Sequence, residues 1–361
     1  MTHKNTAHVP SLDGVRAIAA LMVMFFHFFQ NLTPNNSITS FLKTLASFGQ
    51  TGVSLFFVLS GFLITRILIR EKNSTYFFRN FYLRRTLRIF PLYYLYLILV
   101  FIIIPLFNHQ HPPDLSKQIY HWVYLQDFAI TFNWDFVGPV HFWSLAVEEH
   151  FYLFFPLIVY YLKENHLLYA IVAILLSSLI VRFIMNKNGY EVFYFTFSRL
   201  DELSLGAILA VLEAKNKITQ QVAHRFIYLF IIIALPTMLL WLVYSKQANE
   251  SIQVTKYLLI SLSYFCIIGF IISAPNSNFV KKSLQFKPLV YIGKISYGLY
   301  VYHGLCFHYL ASVYRGNSIV VLFIGSFLFA IIISSMSFYV FESFFFRYKD
   351  YYKNKHTIQN S

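Results

Sequence analysis

The sequence predicts an all-α, polytopic membrane protein with about ten transmembrane helices and with both termini in the cytoplasm. Of its 361 residues, 57% are hydrophobic and only 12% are charged, which is far too apolar for the hydrated surface of a soluble domain. Apolar blocks long enough to cross a bilayer recur from end to end. Basic residues concentrate in the gaps between alternate blocks, as the positive-inside rule requires.

The apolar blocks set the positions of the spans, because about 17–25 helical residues cross ~30 Å of hydrocarbon. The first block begins with Asp13 and Arg16, and no small-residue cleavage site follows it, so we expect a retained anchor. We expect one integral-membrane domain over residues 1–361, with helices from about 12 to 345 and short cytoplasmic tails. The predicted spans are 12–29, 52–69, 87–107, 142–162, 166–183, 199–213, 226–244, 257–274, 295–312 and 318–345.

The basic gaps predict the orientation. The link after the second span is the most basic, so it is assigned to the cytoplasm, and this assignment also places the N-terminus inside. The other basic gaps fall on the same side, which places the C-terminus inside as well. The residues concerned are Arg66, Arg70, Lys72, Arg79, Arg84, Arg85, Arg88, Lys215, Lys217, Arg225, Lys281, Lys282, Lys287, Lys294, Arg347, Lys349, Lys353 and Lys355.

Composition also excludes some classes of function. The net charge of +14 does not predict nucleic-acid binding, because the basic residues serve membrane topology. Cys266 and Cys306 lie inside apolar stretches without metal-ligand spacing, so they predict packing and neither a disulfide framework nor a metal site. The sequence leaves the oligomeric state open.

The longest gap on the predicted outer side runs from Asn108 to His141 and carries Asp114, Asp127 and Asp135 against a single lysine. Tryptophan and proline residues accompany them. Such a segment suits contact with an extracytoplasmic acceptor, and it suits equally an ordered cover over the helix ends.

Polar residues inside the first span indicate a function. Arg16 and His27 are nearly three full helical turns apart, so they share one face at a separation of about 16 Å along the axis. Asp13 lies close to the same stripe. A structural ion pair with a satisfied core histidine is the simpler alternative. The cost of placing three ionisable residues on one intramembrane face favours a functional site.

A second polar concentration is WSLAVEEHFY, Trp143 to Tyr152, which enters the fourth span from outside. Adjacent helical residues point about 100° apart, so only one of the two glutamates is expected to face a common site. By depth that residue could meet His27, fix its tautomer and stabilise its protonated form. The alternative is an ion pair with Arg199, since the sequence RLDE begins the sixth span at a similar depth.

Two further stretches carry candidate residues. Arg85 and Arg88 lie one turn apart in FYLRRTLRIFPLYY, a spacing that suits bidentate phosphate contacts from the cytoplasm; orientation and lipid head-group anchoring explain them as simply. GKISYGLYVYHG, Gly293 to Gly304, places His303 near mid-membrane. Its small residues favour close helix packing, and Tyr297 and its neighbouring tyrosines can donate hydrogen bonds.

Taken in order along the chain, these stretches resemble the acyltransferase 3 family of integral-membrane acyltransferases, which O-acylate cell-envelope and other glycans. The family's pattern of a basic residue, ten intervening positions and a histidine falls on Arg16 and His27. Its paired arginines fall on Arg85 and Arg88, and its tryptophan-to-glutamate motif falls on Trp143, Ser144 and Glu148. The matching segments are SLDGVRAIAALMVMFFH, VLSGFLITR, RRTLRIFPLYY, WSLAVEEHFYLFFP, RLDELSLGAILA and ISYGLYVYHG.

The resemblance implies a ten-helix protein of the bacterial inner membrane, with the histidine as catalytic base and acyl-coenzyme A as donor. His27 would be the base and Glu148 would tune it, while Arg85, Arg88 and Arg16 would hold the donor's phosphates. No cofactor is expected to be permanently bound. Many members carry a further hydrolase-like domain after the membrane part, whereas this sequence ends soon after its last span, so we expect it to acylate the acceptor directly. Tyr297 and Ser144 are candidate oxyanion donors.

The resulting hypothesis is that the protein transfers an acetyl group from acetyl-CoA to a cell-envelope or secreted glycan. Its expected partners are the donor, the glycan acceptor and the membrane lipids. One rival is a proton-coupled secondary transporter of a glycan or acyl donor, with His27, Glu148 and Asp201 as the proton relay. The sequence contains neither the inverted repeats nor the paired broken helices that would favour a transporter. The other rival is a non-catalytic scaffold, in which the same ionisable residues would serve packing alone.

Overall fold

The computed structural model describes residues 9–30, 33–34, 36–244, 250–316 and 318–348. Helices dominate these ranges, and no strand occurs within them. Lys349, Lys353 and Lys355, which contribute to the predicted orientation, lie outside the described residues. The helices are α1 (Pro10–Phe29), α2 (Ser37–Ser47), α3 (Gly52–Glu71), α4 (Phe77–Ile98), α5 (Ile104–Phe107), α6 (Leu115–Trp122), α7 (Gln126–Thr131), α8 (Trp143–Tyr161), α9 (Glu164–Lys187), α10 (Leu200–Ala214), α11 (Ala223–Tyr244), α12 (Glu250–Ser273), α13 (Phe279–Ser283), α14 (Lys287–Lys294), α15 (Ser296–Val313) and α16 (Ile319–Met336).

The all-α membrane fold is confirmed. A helix lies at each of the ten predicted positions. Within the described ranges, eight segments are long and apolar enough to cross a membrane, and α10 and α15 are not among them. The count of ten spans and the orientation of the termini therefore stay predictions. The eight segments are Pro10–Phe29, Ser37–Glu71, Phe77–Phe107, Val140–Tyr161, Glu164–Lys187, Gln220–Trp241, Thr255–Ser273 and Ile319–Tyr348.

The third predicted span differs most from its helix. We predicted a start at residue 87 with the basic cluster in front of it, but α4 begins at Phe77 and includes Arg79, Arg85 and Arg88. The physical reason is that apolar length marks only the part of a helix that lies in hydrocarbon, whereas the helix itself continues into the polar layer. The arginines are therefore held on a regular helix.

The described residues form two compact units. The first unit comprises segments within residues 1–56, 218–228 and 266–335, and the second comprises segments within 57–217, 229–265 and 336–361. In the first unit, α1 packs mainly against α14 and α15. A Cβ atom on Gly293 would lie only 2.0 Å from the backbone oxygen of Asp13, so this close helix contact requires glycine. Cys266 and Cys306 are buried and free, as the packing interpretation predicted.

In the second unit, close helix approach again depends on a glycine. A Cβ atom on Gly61 of α3 would lie 2.0 Å from the backbone oxygen of Leu203 in α10. Such close contact between two helices is what small residues permit in membrane proteins. This contact places the start of α10, with its charged residues, beside the helix that carries Ser60.

The predicted outer segment between α5 and α8 is ordered and packed within the second unit. It contains α6 and α7, and it hydrogen-bonds to its surroundings at several points. The Tyr93 hydroxyl donates to the carbonyl of His121 at 2.7 Å, and Gln126 Nε2 donates to the carbonyl of Phe142 at 2.8 Å. The segment is thus ordered, as its interpretation as a cover over the helix ends predicted. Contact with an acceptor stays a prediction.

Candidate active site

The polar face of α1 has an ion pair at its start, which the sequence analysis gave as the simpler alternative to a functional site. Arg16 Nη1 lies 2.9 Å from Asp13 Oδ1, at the i, i+3 spacing that brings two side chains together on a helix. Asp13 is buried and Arg16 is partly buried. His27, at the other end of α1, is also partly buried.

A second histidine, His303 of α15, meets His27 inside the first unit. Nε2 of His303 lies 2.8 Å from Nδ1 of His27, which is hydrogen-bond distance, and the two ring planes are within 18° of parallel with centroids 4.9 Å apart. His303 is fully buried. The sequence singled out both histidines, but it did not predict that they touch.

The backbone of α15 determines the tautomers of both rings. Nδ1 of His303 lies 2.7 Å from the carbonyl oxygen of Tyr300 and 3.1 Å from that of Leu299. Carbonyl oxygens only accept hydrogen bonds, so this nitrogen must carry the proton of a neutral imidazole. Nε2 of His303 then accepts a hydrogen bond from Nδ1–H of His27. The lone pair of His27 is therefore assigned to its Nε2 atom.

This two-histidine chain can perform general-base chemistry. A ring whose Nδ1–H is held by an acceptor presents Nε2 as its basic atom, and the same hydrogen bond stabilises the imidazolium that forms on protonation. In this geometry a neutral His303 accepts the hydrogen bond that a carboxylate accepts from many catalytic histidines. Tyr300 lies beside it, with ring centroids 5.9 Å apart.

Tyr297, our candidate oxyanion donor, lies at the start of α15. It precedes His303 by six residues, which corresponds to about 9 Å along the helix axis and to a different face. It is partly buried. Its role as a donor stays a prediction.

In the second unit, Glu148 of α8 meets Ser60 of α3. The Ser60 hydroxyl donates to Glu148 Oε1 at 2.5 Å, which joins the tryptophan-to-glutamate motif to the stretch VLSGFLIT. Ser144 lies one turn earlier on α8, is buried, and has its hydroxyl 3.5 Å from the carbonyl oxygen of His141. Glu149 points elsewhere, and its Oε1 atom is buried without a hydrogen bond within the described part of the chain.

Arg85 and Arg88 have different neighbours in the second unit. The Arg85 guanidinium lies 5.3 Å from the ring centroid of Tyr152 and interacts electrostatically with Glu149. Arg88 interacts electrostatically with Glu342, in the π-helical segment Ser337–Glu342. Both arginines are partly buried. They keep the predicted helical spacing, and nothing in these contacts tests whether they bind phosphate.

The charged start of α10 forms two buried ion pairs. Arg199 Nη2 lies 3.1 Å from Glu202 Oε1, and Arg182 of α9 pairs with Asp201. All four side chains are fully buried. The sequence offered Arg199 and Asp201 as possible site residues, but it missed Arg182. A lone arginine in the apolar run of α9 was the available signal, because such residues are rare in spans unless they are paired.

Aromatic rings surround the Arg199 guanidinium. Its Cζ atom lies 4.7 Å from the ring centroid of Tyr257, 5.0 Å from that of Phe193 and 5.7 Å from that of Trp143. These distances fit cation–π contacts, which strengthen when the cation is desolvated. Trp143 of the tryptophan-to-glutamate motif is thus one of the rings that surround the buried Arg199 guanidinium.

Asp127 lies between the predicted third and fourth spans and is fully buried. Its Oδ2 atom accepts hydrogen bonds from the Thr196 hydroxyl at 2.6 Å and from the Thr196 backbone N–H at 3.3 Å. His150 Nδ1 lies 2.7 Å from the same hydroxyl. Burial raises the pKa of the Asp127 carboxyl to about 7, against the opposing effect of these hydrogen bonds. The sequence did not predict this cluster.

Comparison with known proteins identifies the family. Residues 9–340 match a family described as an acyltransferase domain, a range that contains every candidate residue described above. The chain belongs to the acyltransferase 3 family. It is 30% identical over 318 residues to the O-acetyltransferase OatA of Staphylococcus aureus strain NCTC 8325, with 82% of this chain and 50% of that protein covered. It is 28% identical over 342 residues to a second protein named as an O-acetyltransferase, from S. aureus strain COL, covering 88% of this chain and 54% of that protein.

The acyltransferase 3 assignment favours an enzyme over the transporter and the scaffold. The chain spans about half the length of the curated relatives that it matches. No solved structure matches it. As a family member with eight membrane-spanning candidates among its described residues, it is a multi-pass membrane protein.

Proposed function

We propose that this acyltransferase 3 protein is an O-acetyltransferase of the bacterial inner membrane that moves an acetyl group from acetyl-CoA to a hydroxyl of a cell-envelope or secreted glycan. The observation that carries the proposal is the hydrogen bond between His27 and His303, which orients a basic nitrogen on a polar intramembrane face. The family and its named O-acetyltransferase relatives support the reaction type.

In the proposed reaction, His27 Nε2 takes the proton of the acceptor hydroxyl as its oxygen attacks the thioester carbonyl. The carbon–sulfur bond breaks, and the coenzyme A thiolate leaves with the proton that His27 returns. The products are an acetyl ester and free coenzyme A. His303 holds the Nδ1–H of His27 throughout, so the positive charge formed on the imidazole is stabilised where it develops.

The donor is proposed to enter from the cytoplasmic side, where coenzyme A is made. The candidates for its phosphates are Arg16 in the first unit and, separately, Arg85 and Arg88 in the second, because guanidinium groups suit bidentate phosphate contacts. An extended pantetheine arm can then cover the ~16 Å that separates Arg16 from His27 along α1. No permanently bound cofactor is needed for this reaction.

Glu148 is proposed to assist catalysis as a charged residue. Its hydrogen bond from Ser60 fixes the orientation of its carboxyl group. Glu148→Gln keeps an oxygen that can accept this bond but removes the charge, so activity should fall while folding persists. If Glu148→Gln were as active as wild type, the charge would have no catalytic part.

The main test uses purified protein in lipid nanodiscs with acetyl-CoA and a glycan acceptor, and it measures release of free coenzyme A. His27→Ala should abolish the acceptor-dependent release. His308→Ala is the matched control, because His308 lies on α15 near His303 but is exposed. Full activity of His27→Ala would refute the proposed mechanism. Mass spectrometry of envelope glycans with and without the gene would identify the acceptor.

A further inference from the structure

Aromatic side chains form an exposed surface on the segment between α5 and α8 and on the loop after α9. We call Tyr120, Phe132, Trp134 and Tyr190 the aromatic surface. Trp134 lies 5.3 Å from Tyr120 and 6.0 Å from Phe132 between ring centroids, and Phe132 lies 5.7 Å from Tyr190. Trp134 is 41% exposed and Tyr190 is 47% exposed. These rings therefore form one contiguous patch that is open on one side.

The backbone holds this surface in place. Asn133, between two of its rings, has φ +53°, a left-handed conformation that turns the chain sharply after α7. The N–H of Trp134 donates to the carbonyl of Ala129 at 2.9 Å. From beneath, Phe195 packs against Phe132 with ring centroids 5.6 Å apart. The rings need little reordering to receive a ligand, which lowers the entropic cost of binding.

Polar groups border the rings. Lys117 Nζ lies 2.8 Å from Asp135 Oδ2, directly beside Trp134 in the chain, and the Asp135 side chain is 74% exposed. This pair offers both hydrogen-bond donors and acceptors at the edge of the patch. A ligand with an apolar face and a rim of hydroxyl groups would match both features.

The segment that carries Tyr190 also reaches the motif residues of the second unit. Three residues after Tyr190 lies Phe193, whose ring is 4.8 Å from Trp143 between centroids. Phe193 also contacts the Arg199 guanidinium. The same short segment therefore contributes one ring to the aromatic surface and another to the packing of the motif tryptophan.

Charge argues against a membrane-anchoring role. Asp127 is buried, so the charged residues that residues 108–141 present at the surface are Asp114 and Asp135 against Lys117 alone. Segments that attach to anionic lipid surfaces are rich in lysine and arginine, whereas this segment carries no excess of basic residues. The charge balance therefore favours a neutral polyhydroxylated ligand over lipid head groups.

We infer that the aromatic surface is a carbohydrate subsite that binds the acceptor glycan, with the apolar face of a pyranose stacked on Trp134 and Tyr190. This inference rests on the proposed function. The best-matched ligands are β-1,4-linked pyranoses with equatorial substituents, because their flat faces expose C–H groups to an aromatic ring. Stacking of this kind tolerates variation in the ligand while the polar rim orients its hydroxyls.

The test measures binding without turnover. Isothermal titration of the full chain in nanodiscs with cellotetraose and with the tetramer of β-1,4-linked N-acetylglucosamine should give millimolar or tighter affinity for at least one. Trp134→Ala should weaken that affinity at least tenfold, and Trp134→Phe should largely retain it. Tyr161→Ala is the matched control, because Tyr161 is an exposed aromatic residue at the C-terminal end of α8, outside the aromatic surface. The affinity of Tyr161→Ala for the tetrasaccharide should equal that of wild type.

Two results would overturn the inference: no binding of either tetrasaccharide by wild type, or equal binding by wild type and Trp134→Ala. A membrane-seated surface would appear as quenching of Trp134 fluorescence by brominated lipid without any response to sugar, which would also overturn it. His27→Ala should bind the tetrasaccharide like wild type. A failed acetyl transfer with intact sugar binding would count against the proposed function and leave the subsite standing.

Discussion

His27 Nδ1 and His303 Nε2 lie 2.8 Å apart, although 276 residues separate the two histidines in the sequence. The carbonyl oxygens of Leu299 and Tyr300 accept the hydrogen bond from His303 Nδ1–H, on the side of the ring away from His27. The backbone of one helix therefore determines which nitrogen of a histidine on another helix is basic.

This relationship predicts how substitutions of His303 behave. His303→Ala should lower kcat by roughly tenfold to a hundredfold, because His27 loses the acceptor that holds its tautomer. His303→Gln should restore part of the rate, since its amide oxygen can accept the same hydrogen bond. The KM for acetyl-CoA should change little in either variant.

Steady-state kinetics and pH profiles of purified variants would check this prediction. Nitrogen-15 NMR of labelled histidine would report the tautomer of His27 directly. His308→Ala should behave like wild type. If His303→Phe were as active as wild type, His303 would serve packing alone.

The proposed donor site predicts an effect on KM. Arg85→Ala should raise the KM for acetyl-CoA about tenfold or more, since a hydrogen bond to a charged group is lost. With acetyl-pantetheine as donor, which has no nucleotide phosphates, the variant and wild type should have equal KM values. Arg79→Ala is the control, because Arg79 is an exposed arginine on the same helix. If Arg85→Ala and wild type had equal KM values for acetyl-CoA, Arg85 would serve only topology and packing.

Local patterns in the sequence predicted much of this molecule. Apolar length located the helices, and the ion pair of Asp13 and Arg16 in α1 was the simpler alternative that the sequence left beside a functional site. The small residues of GKISYGLYVYHG predicted close helix packing, and Gly293 makes such a contact. Each of these features can be recognised from residues near one another in the sequence, or from the apolar length that a helix needs to cross lipid.

Features that depend on tertiary packing escaped prediction. The contact of His27 with His303 and the contact of Glu148 with Ser60 join separate helices, and a single sequence carries no record of such pairing. Asp127 lies in a segment whose sequence shows no apolar periodicity that would indicate burial, yet packing of α7 buries it. The start of α4 was placed too late because hydropathy does not detect a helix that extends beyond the lipid.

The buried pair of Arg182 and Asp201 predicts a strong effect on stability. Arg182→Met should cost about 3–5 kcal/mol, because it leaves Asp201 charged and unpaired in a buried site. The double variant with Asp201→Asn should recover part of that loss. Thermal unfolding in detergent, followed by size-exclusion fluorescence, would measure both. Arg79→Met provides the exposed control, and a wild-type Tm for Arg182→Met alone would contradict the prediction.

The buried Asp127 carboxyl predicts how stability depends on pH. Its pKa is about 7 in the folded protein, against ~3.9 for an unfolded aspartate, so the folded state keeps a proton that the unfolded state releases. The stability that this group contributes is complete below about pH 4, declines as the pH rises through 7, and is constant above that. The Tm of wild type should therefore fall between about pH 5 and about pH 8. Asp127→Asn cannot titrate and retains an acceptor for Thr196, so its Tm should fall less. Exposed Asp135→Asn should keep the wild-type slope, and equal slopes in Asp127→Asn and wild type would show that His150 or another neighbour sets the pH dependence.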